Sequence, residues 1–196
     1  WIQNAGYVWL VLLVPLAVGY LAVSRARGTL TFGTGSPGHD VLLVLSGPIT
    51  AIPLLLELLD LKGATVTIDA MGCQKEIAAQ IVAGGGDYLL ALKGNHENLQ
   101  QAVAAEFAAA AEADFQVPSL RRHVTVETNR GRRERREYVV MPAPRSLPGF
   151  GDWAKLICIG MVLRTTLANG KETGEVSYFL SSCAPKVKAF AKVVRG

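Results

Sequence analysis

Charged side chains are scarce in this sequence: Asp, Glu, Lys and Arg make up 18% of the residues, against 50% hydrophobic. That balance excludes a chain held open by its own charge, and no collagen-like glycine period runs through it. Cysteine is also rare, occurring only as Cys73, Cys158 and Cys183. With no Cys-x-x-Cys or Cys/His spacing among them, a disulfide framework and a structural zinc site are both excluded, and a reducing compartment is the plain expectation. Three familiar chemical signatures are missing as well: Gly-x-Ser-x-Gly, a glycine-rich phosphate loop and a His/Cys nucleophile pair. Their absence removes the hydrolases and nucleotide-binding folds built on them. Neither sign of charge dominates, since 20 Lys+Arg against 16 Asp+Glu leave a net +4. Such a mild excess admits nucleic acid as a partner without arguing for it. The length, 196 residues, suits one domain of ordinary size.

What is present is unevenly spread. Residues 1–24 carry no charge, and residues 7–23 are almost wholly apolar, close to the roughly 20 residues that a spanning helix needs. Trp1, Tyr7, Trp9 and Tyr20 lie toward its ends and Arg25 and Arg27 follow at once, as interfacial anchors and a positive flank would. Two readings stay open: a transmembrane anchor over residues 7–23, or a leader from a non-native reading frame. The glycine-rich stretch that follows, GTLTFGTGSPG, reads as a linker. The expected organisation is therefore an apolar leader and linker over 1–38 and a folded domain over 39–196.

From residue 39 onward strands and helices alternate. DVLLVL, from Asp40 to Leu45, is a short buried strand broken by Ser46-Gly47-Pro48. Thr50 can cap a leucine-rich helix that tolerates Pro53 in its first turn and ends near Lys62-Gly63. TVTID, residues 65–69, alternates with Val66 and Ile68 on one face; a helix over about Gln74–Val82 follows, then the buried strand Tyr88–Leu92. This strand, helix, strand unit predicts two parallel strands. An alanine-rich helix over about Asn98–Ala113, capped by Asn95 or Asn98, carries Leu99, Val103 and Phe107 on one stripe. The character then changes. HVTVET and RREYVV make a hairpin about Asn129-Arg130-Gly131, KLICIGMVLRTT and EVSYFLSS a second about Asn169-Gly170-Lys171, and a short basic helix closes the chain from Pro185 to Val194. The fold class is α/β, a parallel βαβ core with an antiparallel β-rich addition.

Three groups of residues could carry chemistry. Asp69 ends a central parallel strand, where open α/β sheets place their ligands, and a carboxylate there suits Mg²⁺; the alternative is an aspartate that caps the turn. Lys93, Asn95 and His96 follow the next strand end on the same rim. Lys93 and Asn95 could hold a phosphate, or form a solvated turn with asparagine as helix cap. Asp87 reads as a turn cap. Finally, Arg121, Arg122, Arg130, Arg132, Arg133, Arg135 and Arg136 crowd the first hairpin. Alternation puts them on both faces of a ribbon whose guanidinium forks match phosphates, unless Glu127, Glu134 and Glu137 engage them in ion pairs.

The stretch ITAIPLLLELLDLKGATVTIDAMGCQKEIAAQIVAGGGDYLLALKGNHENL, residues 49–99, closely resembles the DDE transposases of bacterial insertion sequences of the ISAs type, also called H-repeat-associated proteins. NRGRRERREYVV, GEVSYFLSS and the closing VVRG fit the same family pattern, so the resemblance covers residues 49–196. It implies an RNase H-like domain and metal-dependent DNA strand cleavage and strand transfer, with Mg²⁺ or Mn²⁺ held by two aspartates and a glutamate. Asp69 takes the place of the second aspartate, as catalytic residue and metal ligand. DNA contacts are expected from Lys93, Asn95, Arg130, Arg132, Arg133, Arg135 and Arg136. The family's first aspartate belongs to an Asp-Gly-Lys motif that does not occur here, and its glutamate follows a His-Trp pair beyond the Arg-Gly at which this sequence stops. The resemblance departs abruptly near Ile49. A truncated or frameshifted copy, inactive alone, is the resulting expectation. It would be cytoplasmic, bound to DNA and compatible with a homo-oligomer. The alternatives are a membrane-anchored interaction protein without enzymatic activity, and a DNA-binding remnant.

Overall fold

The computed structural model describes residues 41–45, 51–129 and 131–195. The expectations for residues 1–38, for Thr50 as a cap and for Arg130 lie outside the described residues. Among the described residues, no helix is long and apolar enough to cross a membrane.

The first half alternates as the pattern predicts: β1 (Val41–Leu45), α1 (Ala51–Leu58), β2 (Ala64–Ile68), α2 (Lys75–Ala83) and β3 (Asp87–Leu92). β1 pairs parallel with β2, and β2 parallel with β3, so Leu43, Val66 and Tyr88 lie side by side. α3 (Glu97–Glu112) then leads into β4 (Arg121–Asn129), β5 (Arg132–Pro142), β6 (Cys158–Ala168), β7 (Lys171–Ser181) and α4 (Val187–Arg195). The antiparallel strands extend the parallel ones into a single mixed sheet, in the order β1-β2-β3-β7-β6-β5-β4. β7 makes the junction, with Leu180 opposite Leu90 and Ile159. The turn from β6 to β7 puts Asn169 and Gly170 at φ 51° and 73°, the doubly left-handed geometry that Asn-Gly favours and that matches strand twist.

Alternation along the strands divides the core between the two faces of the sheet. On one face Val66, Ile68, Tyr88, Leu90, Leu92, Val139, Ile159 and Leu180 meet Ile52 and Leu56 of α1, Ile77 and Ile81 of α2, and Leu99, Val103, Phe107 and Ala110 of α3. The α3 residues follow one another at spacings of four, four and three, the period that keeps a helix stripe on one side. Each fully buried aliphatic side chain here contributes about 1.5–3 kcal/mol. The opposite face carries a smaller cluster of Leu89, Tyr138, Val140 and Val162 under Phe190 and Ala191 of α4. Phe190 meets Phe179 and Tyr138 edge to face, at 5.5 and 6.3 Å between centroids, the arrangement that ring quadrupoles favour.

α4 depends on a hole in the sheet. A Cβ on Gly160 would lie 2.5 Å from the Phe190 ring, so only glycine lets this aromatic seat. Gly160→Val is expected to cost about 1–3 kcal/mol through overpacking, with α4 lifted from β5 and β6. A urea titration gives the cost, and faster amide exchange confined to residues 187–195 locates it.

Candidate functional site

The rim at the carboxyl ends of β2 and β3 is built from two short turns. β2 stops at Ile68, and Asp69 opens a 3₁₀ turn, Ala70–Gly72, that folds back over the end of its own strand. Gly72 N–H closes it onto the Asp69 carbonyl at 3.1 Å. A Cβ on Gly72 would lie 2.1 Å from Ile68 Cγ2 and 2.9 Å from Ile52 Cδ1, so glycine is what allows the turn to lie so close. Asp69 is exposed, and its carboxylate takes no capping hydrogen bond from the turn. The turn-capping alternative for this residue therefore finds no support.

After β3, Lys93 is exposed and a second 3₁₀ turn, Gly94–His96, leads into α3. Neither Asn95 nor Asn98 caps that helix; the residue before it is His96, without a side-chain cap bond. Asn95 instead reaches across the rim, its amide donating to the Ala70 carbonyl at 2.9 Å and the Cys73 carbonyl at 3.5 Å. His96 Nε2 lies 2.7 Å from the same Cys73 carbonyl, a contact that requires this nitrogen to carry the proton and donate. The His96 ring stands edge-on to the buried Trp153, 5.4 Å between centroids. The two turns are thereby stapled together, and Asn95 spends its amide on that staple.

An ion pair at 2.6 Å between Lys75 of α2 and Asp152 also links this region to the loop before β6. Both partners are about half exposed, so it adds little stability. Cys73 lies in the core beneath the turn, where burial pushes its thiol up to about 12. A recess, about 270 Å³, opens beside α4 and is lined among others by Thr65, Asp87, Cys158, Cys183 and Phe190. Asp87 is engaged there by Lys155 at 2.8 Å and by the Ser182 hydroxyl at 2.7 Å, contacts to side chains remote in sequence in place of a turn cap. Burial raises both thiols, that of Cys158 to about 12. Neither supplies a nucleophile at neutral pH.

The arginine ribbon is where structure changes the reading most. β4 pairs with β5 over its full length, from Arg121 opposite Val140 to Asn129 opposite Arg132. On the face that carries α4, Glu134 accepts from Arg136 at 2.6 Å, from Arg164 at 2.7 and 2.9 Å, and from Arg132 at 3.4 Å. The Arg164 hydrogen bonds come first in holding the Glu134 carboxyl below its ordinary value; burial opposes them, and the charges of Arg136 and Arg164 reinforce them. On the other face, Glu137 is buried between Arg122 and Arg135, with Arg135 at 2.7 Å. Burial alone would raise that carboxyl, but the two arginine hydrogen bonds and charges outweigh it and leave it lowered.

Of the arginines expected to meet phosphate, Arg132, Arg135 and Arg136 are thus tied to carboxylates. Arg133 is exposed and makes no ion pair among the described residues. Arg164 escaped the sequence reading because only the β5–β6 register, which sets it opposite Arg136, brings it to the ribbon. Three arginines stand around Glu134, and one of them, Arg164, also lies 3.9 Å from Glu175. Among the described residues, no three His, Cys, Asp or Glu side chains are grouped to hold a metal ion. The residues described therefore do not make a two-metal centre, and no step through a metal follows from them.

Comparison with known proteins places this arrangement. The chain is 38% identical over 155 residues to "Putative protein YbfL" of Escherichia coli K12, covering 76% of this chain and 40% of that protein. It is 37% identical over 155 residues, with the same two coverages, to "H repeat-associated putative transposase YhhI" of the same strain. It is 42% identical over 105 residues to "H repeat-associated putative transposase YbfD", covering 54% of this chain and 40% of that one. No family model and no solved structure matches. The chain spans about two fifths of the length of these curated relatives. Within that span, it is similar to proteins named as H repeat-associated putative transposases.

Proposed function

We propose that this chain is part of a DNA transposase and that, alone, it binds DNA without cutting it. The observation that carries the reading is the extended similarity to proteins named as transposases, joined to an exposed Asp69 at the carboxyl end of a parallel strand. An RNase H-like domain is the fold we assign; its support is the parallel β1-β2-β3 sheet with helices between the strands. In the family reaction, metal-dependent strand cleavage and strand transfer, Mg²⁺ or Mn²⁺ needs several shared carboxylates. Asp69 supplies one of them here. Lys93 and the ribbon arginines, above all the unpaired Arg133 and the clustered Arg132, Arg136 and Arg164, are suited to DNA phosphates. Asn95 acts as a positioning residue that holds the Asp69 turn.

Fluorescence anisotropy with a labelled mixed-sequence duplex tests the binding. The log of the affinity is expected to fall linearly with log salt, and Arg133→Ala to reduce that slope by about 1, since each lost phosphate contact releases one counterion fewer. Absence of a salt-dependent complex overturns the DNA reading. Incubation with supercoiled plasmid and Mg²⁺ or Mn²⁺ is expected to leave it intact; nicking that Asp69→Asn abolishes overturns the claim that the chain does not cut alone.

A further inference from the structure

The outer edge of β4 has the makings of an interface. Among the described residues β4 closes the sheet order and no strand pairs beyond it. Edge strands of natural sheets are usually short, interrupted by proline or a bulge, or charged along their length, because a bare edge templates pairing with another chain. β4 has nine residues, no proline and an unbroken register with β5. Its charges sit toward its ends, at Arg121, Arg122 and Glu127, and its centre, Val124-Thr125-Val126, is neutral. Val124 and Val126 are 38% and 48% exposed, on the same side of the strand.

The register also settles which backbone groups are free. The hairpin closes on the Asn129–Arg132 pair with two residues in the turn, and in such hairpins the closing pair is hydrogen bonded. Counting back by twos, Glu127, Thr125, His123 and Arg121 point their N–H and C=O groups at β5. Arg122, Val124, Val126 and Thr128 point theirs outward.

We propose that this edge pairs antiparallel with β4 of a second copy of the chain, across a two-fold axis through Thr125. Thr125 is the midpoint of β4, so this register alone pairs all nine residues. It places Val124 opposite the second copy's Val126 and Arg122 opposite its Thr128, and these are the residues with outward backbone groups. His123 falls opposite Glu127, whose carboxylate Arg195 of its own chain also holds, and Arg121 opposite Asn129, so apolar meets apolar and no like charges face each other. Like charges directly opposite are destabilising, whereas β-branched pairs and opposite charges each stabilise. This self-complementarity favours a second copy over an unrelated strand. The two central Thr125 residues form a pair without mutual hydrogen bonds, in which Cα atoms are about 4.5 Å apart. The inference uses no property of DNA binding, so it stands or falls separately from the proposed function.

Sedimentation velocity on the full chain, without DNA, is expected to show a dimer. Val126→Pro removes an outward N–H while leaving the β5 ladder intact, and is expected to give a monomer with an unchanged far-ultraviolet dichroism spectrum. Val126→Lys keeps the backbone donor but blunts the edge, and is expected to do the same. For the register, Thr125→Cys treated with oxidised glutathione is expected to give a disulfide-linked dimer on a non-reducing gel. Thr128→Cys and the parent, with its own three cysteines, are expected to give none. A monomeric parent overturns the proposal, as do dimers unaffected by both Val126 variants, or equal cross-linking at positions 125 and 128.

Discussion

Phe107→Ala is expected to lower the unfolding free energy by about 3–5 kcal/mol, the range for truncating a buried phenylalanine. Phe107 is 2% exposed and lies at the centre of the α3 stripe, after Leu99 and Val103. Its ring stacks on Tyr178 of β7 at 6.1 Å between centroids and 22° between planes, so it joins the helical layer to the strand that connects the parallel and antiparallel halves. Truncation removes apolar contact from both partners at once and leaves a cavity between a helix and a sheet, neither of which can close it alone. Glu112→Ala, exposed at the end of the same helix, is expected to change stability by less than about 0.5 kcal/mol. Denaturant midpoints for the two variants measure the contrast. A Phe107 loss below about 1 kcal/mol contradicts the packing described for α3.

Replacing Arg122 and Arg135 together with methionine is expected to cost about 3 kcal/mol at neutral pH and to reverse part of the pH dependence of stability. Glu137 has a side chain only 5% exposed, while the two arginines that hold it are 42% and 39% exposed. Leaving a buried carboxylate unpaired costs about 3–5 kcal/mol, and the low end applies because water reaches the two guanidinium sites. The Arg122 guanidinium also lies 5.0 Å from the Phe115 ring centre, a contact worth about 0.5–1 kcal/mol at an exposed site. In the parent, the folded-state pKa of Glu137 lies below 4.5. Its contribution to stability is therefore complete above 4.5 and is lost as pH falls through the depressed value. Without the arginines only burial acts on Glu137, and burial raises its pKa. The variant then gains stability relative to neutral pH as it falls through the raised value, because protonation relieves the buried charge. The gap between parent and variant should narrow steadily from pH 7 toward pH 4 in urea titrations. A constant gap shows that the arginines act through packing alone.

The local elements of this protein were legible from its residues. Hydrophobic period marked β2 by Val66 and Ile68 and α3 by Leu99, Val103 and Phe107, and Asn169-Gly170 specified the turn between β6 and β7. These features depend on side chains within a few positions of one another, and their physics is local. The family was legible too, through TIDAMGCQ and LLALKGN, and the similarity to the named transposases agrees with it. Tertiary structure alone decided what the polar residues do. Asn95 fitted a helix cap or a phosphate ligand equally well in sequence, but it spends its amide on the carbonyls of Ala70 and Cys73, more than twenty positions away. The arginine cluster fitted either a phosphate-binding ribbon or one closed by ion pairs, and strand register decided for the second at Glu134 and Glu137 and drew Arg164 in from β6. Apolar burial follows a period that one strand or helix displays by itself. A hydrogen bond or ion pair needs a partner within about 3 Å, and only the folded chain determines which distant group stands there.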